Sequence, residues 1–166
     1  MKNFKQINIF KIIFTLFFVV QFILPTLVFS EDWEEARGMV QSGKELEKKG
    51  QFSKATDVYK KATSQFPEYP DGYIQLGFGL QVLKKFDFAI DAYQKGLNLS
   101  PYHRFAPEAY YNMSFSADKM GQGSEAIAYL KKSLQAYTDR NDYSGVFKAG
   151  SYLEVLSNKY PKAKNN

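Results

Sequence analysis

The 166-residue chain contains no cysteine and only one histidine, and both shortages remove classes of function. Without cysteine there is no disulfide and no lipid-accepting thiol of the kind that anchors bacterial lipoproteins. The single histidine, His103, has no second histidine and no cysteine with which to complete a metal site. We therefore predict no metal and no cofactor, and expect burial of apolar side chains to stabilise the fold.

Catalytic patterns are also missing from the sequence. No set of Ser, His and Asp, no glycine-rich phosphate loop and no metal-ligand spacing can be assembled. The acids Asp87, Asp91 and Asp118 are scattered over helical surface positions, and Asp91 has a lysine, Lys95, one helical turn later. The sequence therefore predicts a protein that is not an enzyme.

The first thirty residues have the pattern of a secretory signal. Three lysines precede an apolar run over 12–24, and the small residue Ser30 offers a cleavage point. We predict a signal peptide at 1–30 and export to the periplasm or the cell exterior. The alternative is an uncleaved anchor facing outward, because residues 12–29 approach the length of about 20 that spans a bilayer. Membrane contact would then occur only through Met1–Ser30.

The predicted signal carries most of the net charge. The whole chain has a formal charge of +5, from 22 basic and 17 acidic residues. Three of the basic residues and none of the acidic ones lie in the first thirty, so 19 basic residues face 17 acidic ones in the rest, a net charge of +2. So small a charge gives no electrostatic case for binding nucleic acid, and we predict none.

The rest of the chain repeats itself. The stretch from Gly43 to Pro67 is echoed 34 residues later, from Gly77 to Pro101. Ala55, Ala89 and Ala126 mark equivalent positions, at spacings of 34 and 37 residues. A helical pattern with a period of this length indicates stacked helix hairpins.

The middle unit resembles the tetratricopeptide repeat. The residues that carry the resemblance are Tyr73, Leu76, Gly77, Leu80, Ala89, Tyr93 and Pro101. The resemblance implies an all-α solenoid over 31–160. Its parts are three repeats at about 36–69, 70–103 and 107–140, a capping helix at 141–160 and a disordered tail at 161–166.

Turn and cap residues mark the ends of the predicted helices in this array. Gly50, Lys84 and Gly121 fall at equivalent positions, where each hairpin turns. Pro107 suits the first turn of a helix, and Asp142 suits the N-cap of the capping helix. The third unit departs from the family pattern, with serine in place of the glycine at the helix contact.

In this family the first helix of each hairpin lines a concave groove that takes an extended or helical peptide. The resemblance implies a partner-binding groove formed by Lys44 of the first unit, Ile74, Phe78 and Gln81 of the second, and Tyr111, Asn112 and Phe115 of the third. The centre of this surface is apolar and aromatic, which favours a ligand held by burial. The alternative for Phe78 and Phe115 is packing between hairpins.

Two outer features remain open. Lysines recur late in each second helix, and they form either a solvated face or a basic stripe for an acidic partner or lipid headgroups. Residues 104–106 are inserted between the second and third units, and the overlapping cluster Tyr102–Phe105 is predicted to lie exposed at the groove edge.

We interpret the chain as an exported adaptor or scaffold that binds a protein or peptide partner in a cell-envelope complex. The alternatives are a self-assembling repeat protein and, without cleavage, a membrane-anchored assembly factor.

Overall fold

The structure, a computed structural model, describes Phe14, Phe17 and residues 24–161, with side chains described for the two phenylalanines and from Asp32 onward. Most of the predicted signal peptide and residues 162–166 of the predicted tail lie outside the described residues. The chain divides into two units, Met1–Glu35 and Ala36–Asn166. Among the described residues, no helix combines the length and the apolar character that a membrane span requires.

Seven α-helices build the described part of the chain, and it contains no strand. They are α1 (Leu24–Lys48), α2 (Phe52–Gln65), α3 (Pro70–Val82), α4 (Phe86–Leu99), α5 (Ala106–Lys119), α6 (Gly123–Asp139) and α7 (Tyr143–Lys159). The prediction of an all-α helical solenoid is confirmed.

The turns that join α1 to α2, α3 to α4, α5 to α6 and α6 to α7 have one form. Gly50, Lys84, Gly121 and Asn141 are left-handed, with φ of 72°, 59°, 75° and 56°. In each turn the next amide donates to the carbonyl five residues earlier, at 2.9 to 3.0 Å. This pairing satisfies carbonyls that a helix end leaves free. The three turn positions predicted from the repeat are confirmed, and Asn141 adds a fourth.

Glycine lets the two helices of a hairpin approach closely. A Cβ atom at Gly77 in α3 would lie 2.7 Å from Cδ1 of Tyr93 in α4, and one at Gly43 would lie 2.3 Å from Cε1 of Tyr59. Both tyrosines are almost fully buried. In the third hairpin Ser114 stands at the glycine position, and the buried Leu130 stands at the tyrosine position.

Successive hairpins pack with their first helices innermost. Among the described residues α3 contacts α5 and α5 contacts α7, whereas α2, α4 and α6 do not contact one another. The outer helices are therefore spread apart, and the inner row forms the concave side. Adjacent hairpins meet through small side chains, as where Gly79 of α3 faces Thr56 of α2.

The last helix closes the array. Its N-cap is Asp142, whose carboxylate accepts a hydrogen bond from the Gly145 amide at 2.9 Å, as the sequence predicted. On its inner side, α7 buries Ala149 and Leu156 against α6. Pro107, the other helix-start residue predicted, is the second residue of α5.

Candidate functional site

An aromatic row runs along the concave side of the array. Phe78 on α3 is 38% exposed, and Phe115 on α5 is half-buried. The Phe115 ring meets the edge of Phe86 with 6.4 Å between centroids, and the ammonium group of Lys119 lies 5.0 Å from its centre. Phe115 therefore packs between hairpins, as the alternative predicted, while part of it still reaches solvent; its contact with a partner stays a prediction. Phe78 is the freer anchor.

Ile74 does not line the groove, and its prediction as a groove residue is wrong. Its side chain is 4% exposed and belongs to the core between α3 and α4. The reason is Gly96 on α4, where an added Cβ would come within 3.0 Å of the isoleucine. The missing side chain at Gly96 opens a space that Ile74 fills.

Gln81 and Asn112, both predicted groove residues, are joined through the hydroxyl of a buried tyrosine. Tyr93 donates to Oε1 of Gln81 at 3.1 Å, and Nδ2 of Asn112 donates to the tyrosine oxygen at 3.2 Å. Burial raises the pKa of Tyr93, so the hydroxyl keeps its proton. The Gln81 amino group and the Asn112 carbonyl oxygen make no hydrogen bond among the described residues.

Tyr111 contacts the last helix, which the sequence analysis had assigned only a capping role. Its ring lies 5.5 Å from that of Tyr152, and the ammonium group of Lys148 lies 4.1 Å from its centre. Lys148 and Tyr152 therefore lie beside a predicted groove residue, and the sequence analysis did not place them there. Their four-residue spacing, which places both on one face of α7, was the signal available.

Asp118 fixes the end of α7 to α5. It accepts hydrogen bonds from Tyr152 at 3.1 Å, Tyr160 at 3.0 Å and Lys159 at 2.7 Å. Burial alone would raise the pKa of Asp118, but these hydrogen bonds outweigh it and hold the pKa below its usual value. The carboxylate is thus a structural acceptor that holds the last wall of the groove.

The inserted segment between the second and third hairpins folds onto α3. His103 and Arg104 both bind the carboxylate of Asp71, which is 6% exposed. Burial would raise the pKa of Asp71, but the His103 hydrogen bond and the nearby positive charge of Arg104 and Lys44 hold it below its usual value. Tyr102 is 94% exposed and the Arg104 side chain is 66% exposed, whereas His103 and Phe105 are partly buried. The segment predicted to be exposed is therefore exposed at Tyr102 and Arg104 and packed at His103 and Phe105.

Two further contacts fasten this segment. Arg140, at the end of α6, donates to the carbonyls of Tyr102, His103 and Arg104. Lys44, predicted to lie in the groove, has its ammonium group 5.5 Å from the centre of the Phe105 ring. The loop thus links residues of α1, α3 and α6 and forms a wall beside Lys44.

Glu47 occupies the position in α1 that Gln81 occupies in α3. It lies near Tyr59 as Gln81 lies near Tyr93, but its carboxylate is half-buried, and burial raises the pKa of Glu47. Its Oε1 and the hydroxyl of Tyr59 make no hydrogen bond. A charge therefore stands where the next repeat holds a neutral amide.

Within the described ranges, no group of three His, Cys, Asp or Glu side chains is arranged to hold a metal ion. The polar contacts of Asp71, His103 and Asp118 are all accounted for by packing between hairpins.

Comparison with known proteins agrees with this geometry. Residues 107–140 match the tetratricopeptide-repeat family, over the range predicted for the third repeat. No curated protein matches the chain by sequence.

Solved structures share the fold at low sequence identity. A type III secretion complex from Aeromonas hydrophila aligns with a TM-score of 0.72 and 17% identity over 77% of this chain and 84% of the other. The Yersinia enterocolitica chaperone SycD, in complex with a peptide of the translocator YopD, gives 0.69 and 16% over 76% and 95%. The TPR2B domain of yeast Sti1, in complex with Hsp70, gives 0.67 and 22% over 78% and 98%.

Proposed function

Because residues 107–140 match the tetratricopeptide repeat and the helical array is shared with solved structures, we propose that the chain is a tetratricopeptide-repeat binding module that holds a segment of a partner protein on its concave side. The observation that carries this proposal is Phe78, a large apolar ring that is 38% exposed on α3 beside the unpaired amino group of Gln81. An aromatic anchor with hydrogen-bonding groups beside it is the usual composition of a peptide-binding hot spot.

The charges around the groove suggest the chemistry of the segment. Lys44, Lys119 and Lys148 each lie over an aromatic ring, those of Phe105, Phe115 and Tyr111. A lysine side chain that lies on an aromatic face can present both its apolar methylene groups and its charged ammonium group to a ligand. We therefore propose that the bound segment carries apolar side chains with a carboxylate nearby. The solved structures of SycD with a YopD peptide and of the Sti1 domain with Hsp70 are consistent with a binding role on this fold.

We further propose that the module works outside the cytoplasmic membrane, in a complex of the cell envelope. The support is the lysine-rich start of the chain, its apolar run and Ser30. Because α1 begins at Leu24 and continues to Lys48, cleavage after Ser30 would leave most of that helix in place. The intact mass of the protein recovered from its host checks this directly.

Replacing Phe78 tests the binding proposal. Peptides that bind the full chain can be selected from a random library of about 12 residues, and their affinity measured by fluorescence anisotropy. Phe78→Glu should weaken such peptides by about tenfold or more, close to 1.4 kcal/mol, because it places a charge in the apolar centre. Phe78→Ala should act in the same direction without adding charge.

Lys61→Glu is the control for the added negative charge, because Lys61 is exposed on the outer helix α2 and lies outside the groove. It should leave these affinities within about twofold. Circular dichroism melts of all variants separate loss of binding from loss of fold. If Phe78→Glu melts like the wild type and still binds every selected peptide normally, the groove is not the binding surface.

Self-association is the second candidate function, and the last helix favours it. Tyr143 and Phe147 are each 78% exposed and Val155 is 58% exposed, on one side of α7. An exposed apolar strip at the end of a repeat array suits a symmetric contact with a second copy of the chain. Light scattering over a concentration series tests this, and Phe147→Ser should shift any dimer toward monomer. A strict monomer at all concentrations rules the contact out.

A further inference from the structure

A second concave surface lies on the outer side of the array, between α2 and α4. These two helices do not contact each other, and the space between them, about 600 Å³, is floored by α3. The floor is apolar, formed by Tyr73, Leu76 and Leu80, and Phe88 forms part of one wall with 59% of its surface exposed.

This space continues along α4. A smaller hollow of about 280 Å³ shares Tyr73 and Lys95 with it and extends to Leu99, which is 38% exposed. We call the two together the outer trough. The 14 residues of α4 that run beside it cover about 20 Å, the length of nearly four turns of a second helix.

The rim of the outer trough is basic. Lys60 on α2 and Lys85 and Lys95 at either end of α4 line it, against one acid, Asp91. All three lysines are exposed; Lys60 also lies 3.8 Å from the carboxylate of Asp57, in an ion pair that is itself open to solvent. An apolar floor inside a rim of net charge +2 selects against basic ligands and favours acidic ones.

We propose that the outer trough binds an amphipathic helix of a partner protein, with the apolar face of that helix on Tyr73, Leu76 and Leu80 and its flanking Asp or Glu side chains against the lysine rim. The trough is open along its length, as the exposure of Phe88 and Leu99 shows. A small amphiphile such as a fatty acid needs enclosure on most of its surface, whereas an amphipathic helix buries one face and leaves the other in water. Helix-in-groove docking therefore fits this shape.

This site is separate from the concave groove. Its walls come from the outer helices α2 and α4, while the groove residues Phe78, Tyr111 and Phe115 lie on α3 and α5. It does not depend on the groove being functional, and one protein could hold two partners at once.

A pair of designed peptides tests whether the outer trough prefers acidic helices to basic ones. One is a fluorescein-labelled helix of about 16 residues with leucine on one face and glutamate on both flanks, and its twin has lysine for every glutamate. With the full chain, anisotropy should show binding of the acidic peptide in the range of about 10 to 100 μM and binding of the basic twin weaker by about tenfold or more.

Reversing the rim should reverse the preference. Lys60→Glu with Lys95→Glu should weaken the acidic peptide by about tenfold and strengthen the basic twin. The matched control is Lys61→Glu with Lys131→Glu, which changes the charge equally at exposed lysines that do not line the outer trough. The control should leave the preference for the acidic peptide in place.

Several results would overturn the proposal. One is equal binding of the two peptides, or no binding of either at millimolar concentration. Another is loss of the acidic peptide in Phe78→Glu but not in the rim variant, because the peptide would then sit in the concave groove. Displacement by equimolar laurate would assign the trough to small amphiphiles, and a rim variant that alters only the solution mass would assign it to a second copy.

Discussion

Gly77→Ala tests whether close helix contact holds both the fold and the groove. The added Cβ would lie 2.7 to 2.8 Å from Cδ1, Cε1 and Cγ of Tyr93, where ordinary carbon contacts are about 3.5 to 4.0 Å. The Tyr93 ring is 1% exposed, and the new Cβ collides with one edge of it, so the surrounding core leaves the ring no space into which to rotate. Either the two helices separate or the tyrosine moves.

The magnitude follows from two opposing effects. Overpacking of a core by one methyl group costs about 1 to 3 kcal/mol, and glycine to alanine in a helix interior gains about 0.8 to 1.0 kcal/mol. Gly150→Ala isolates the second effect, because Gly150 lies inside α7 with no atom within 4 Å of the new Cβ. We expect Gly150→Ala to stabilise the protein by nearly 1 kcal/mol and Gly77→Ala to be about 1 to 3 kcal/mol less stable than Gly150→Ala.

The free energy of unfolding is measured by urea denaturation followed at the helical circular dichroism band. A displaced Tyr93 also breaks its hydrogen bonds to Gln81 and Asn112, so peptide affinity should fall together with stability. Equal unfolding free energies for the alanine variants of Gly77 and Gly150 would refute the close-contact argument. A stability loss without any loss of affinity would refute the link to the groove.

Two carboxylates should give opposite pH dependence. The pKa of Asp118 is held below its usual value of 3.8, so its contribution to stability is complete above that pH and is lost as the pH falls through the lowered pKa. Asp118→Asn should therefore cost about 1 to 2 kcal/mol at pH 7, from the tyrosine hydrogen bonds, and progressively less as the pH falls below 3.8. The pKa of Glu47 is raised above 4.5, so its native charge destabilises the fold at pH 7. Glu47→Gln, which copies Gln81, should therefore raise the melting temperature at pH 7, with a gain that vanishes below pH 4.5. Thermal melts across pH check both, and a gain for Glu47→Gln that persists at pH 3 contradicts the charge explanation.

The repeat array could be predicted from the sequence because the residues that determine it act on their immediate neighbours in the chain. The 34-residue period, the turn residue Lys84 with its left-handed φ of 59°, and the N-cap Asp142 all act within a few residues of themselves. The helix bounds follow from such signals, and the third repeat was placed over the range that the family match covers.

The contacts that shape the groove are nonlocal, and sequence did not reveal them. α3 is apolar around most of its surface, so its pattern did not show that Ile74 faces Gly96, 22 positions further on, while Phe78 faces outward. The pairing of Asp71 with Arg104 spans 33 positions, and no periodicity marks it. The pattern of apolar residues shows which face of a helix is buried only when the opposite face is polar.

The third hairpin shows how a nonlocal contact can still be recovered by comparing repeats within one chain. Where α4 carries Tyr93, the facing residue is Gly77; in the third repeat the equivalent positions hold Leu130 on α6 and Ser114 on α5, and the Ser114 hydroxyl is buried without a hydrogen bond. If the separation of the two helices determines this pairing, Leu130→Tyr alone should overpack the core and lower the free energy of unfolding by about 1 to 3 kcal/mol. Adding Ser114→Gly should then restore most of that stability. The coupling energy from a double-mutant cycle should then be about 1 kcal/mol or more. Strictly additive effects would mean that the glycine and tyrosine positions are not matched to each other.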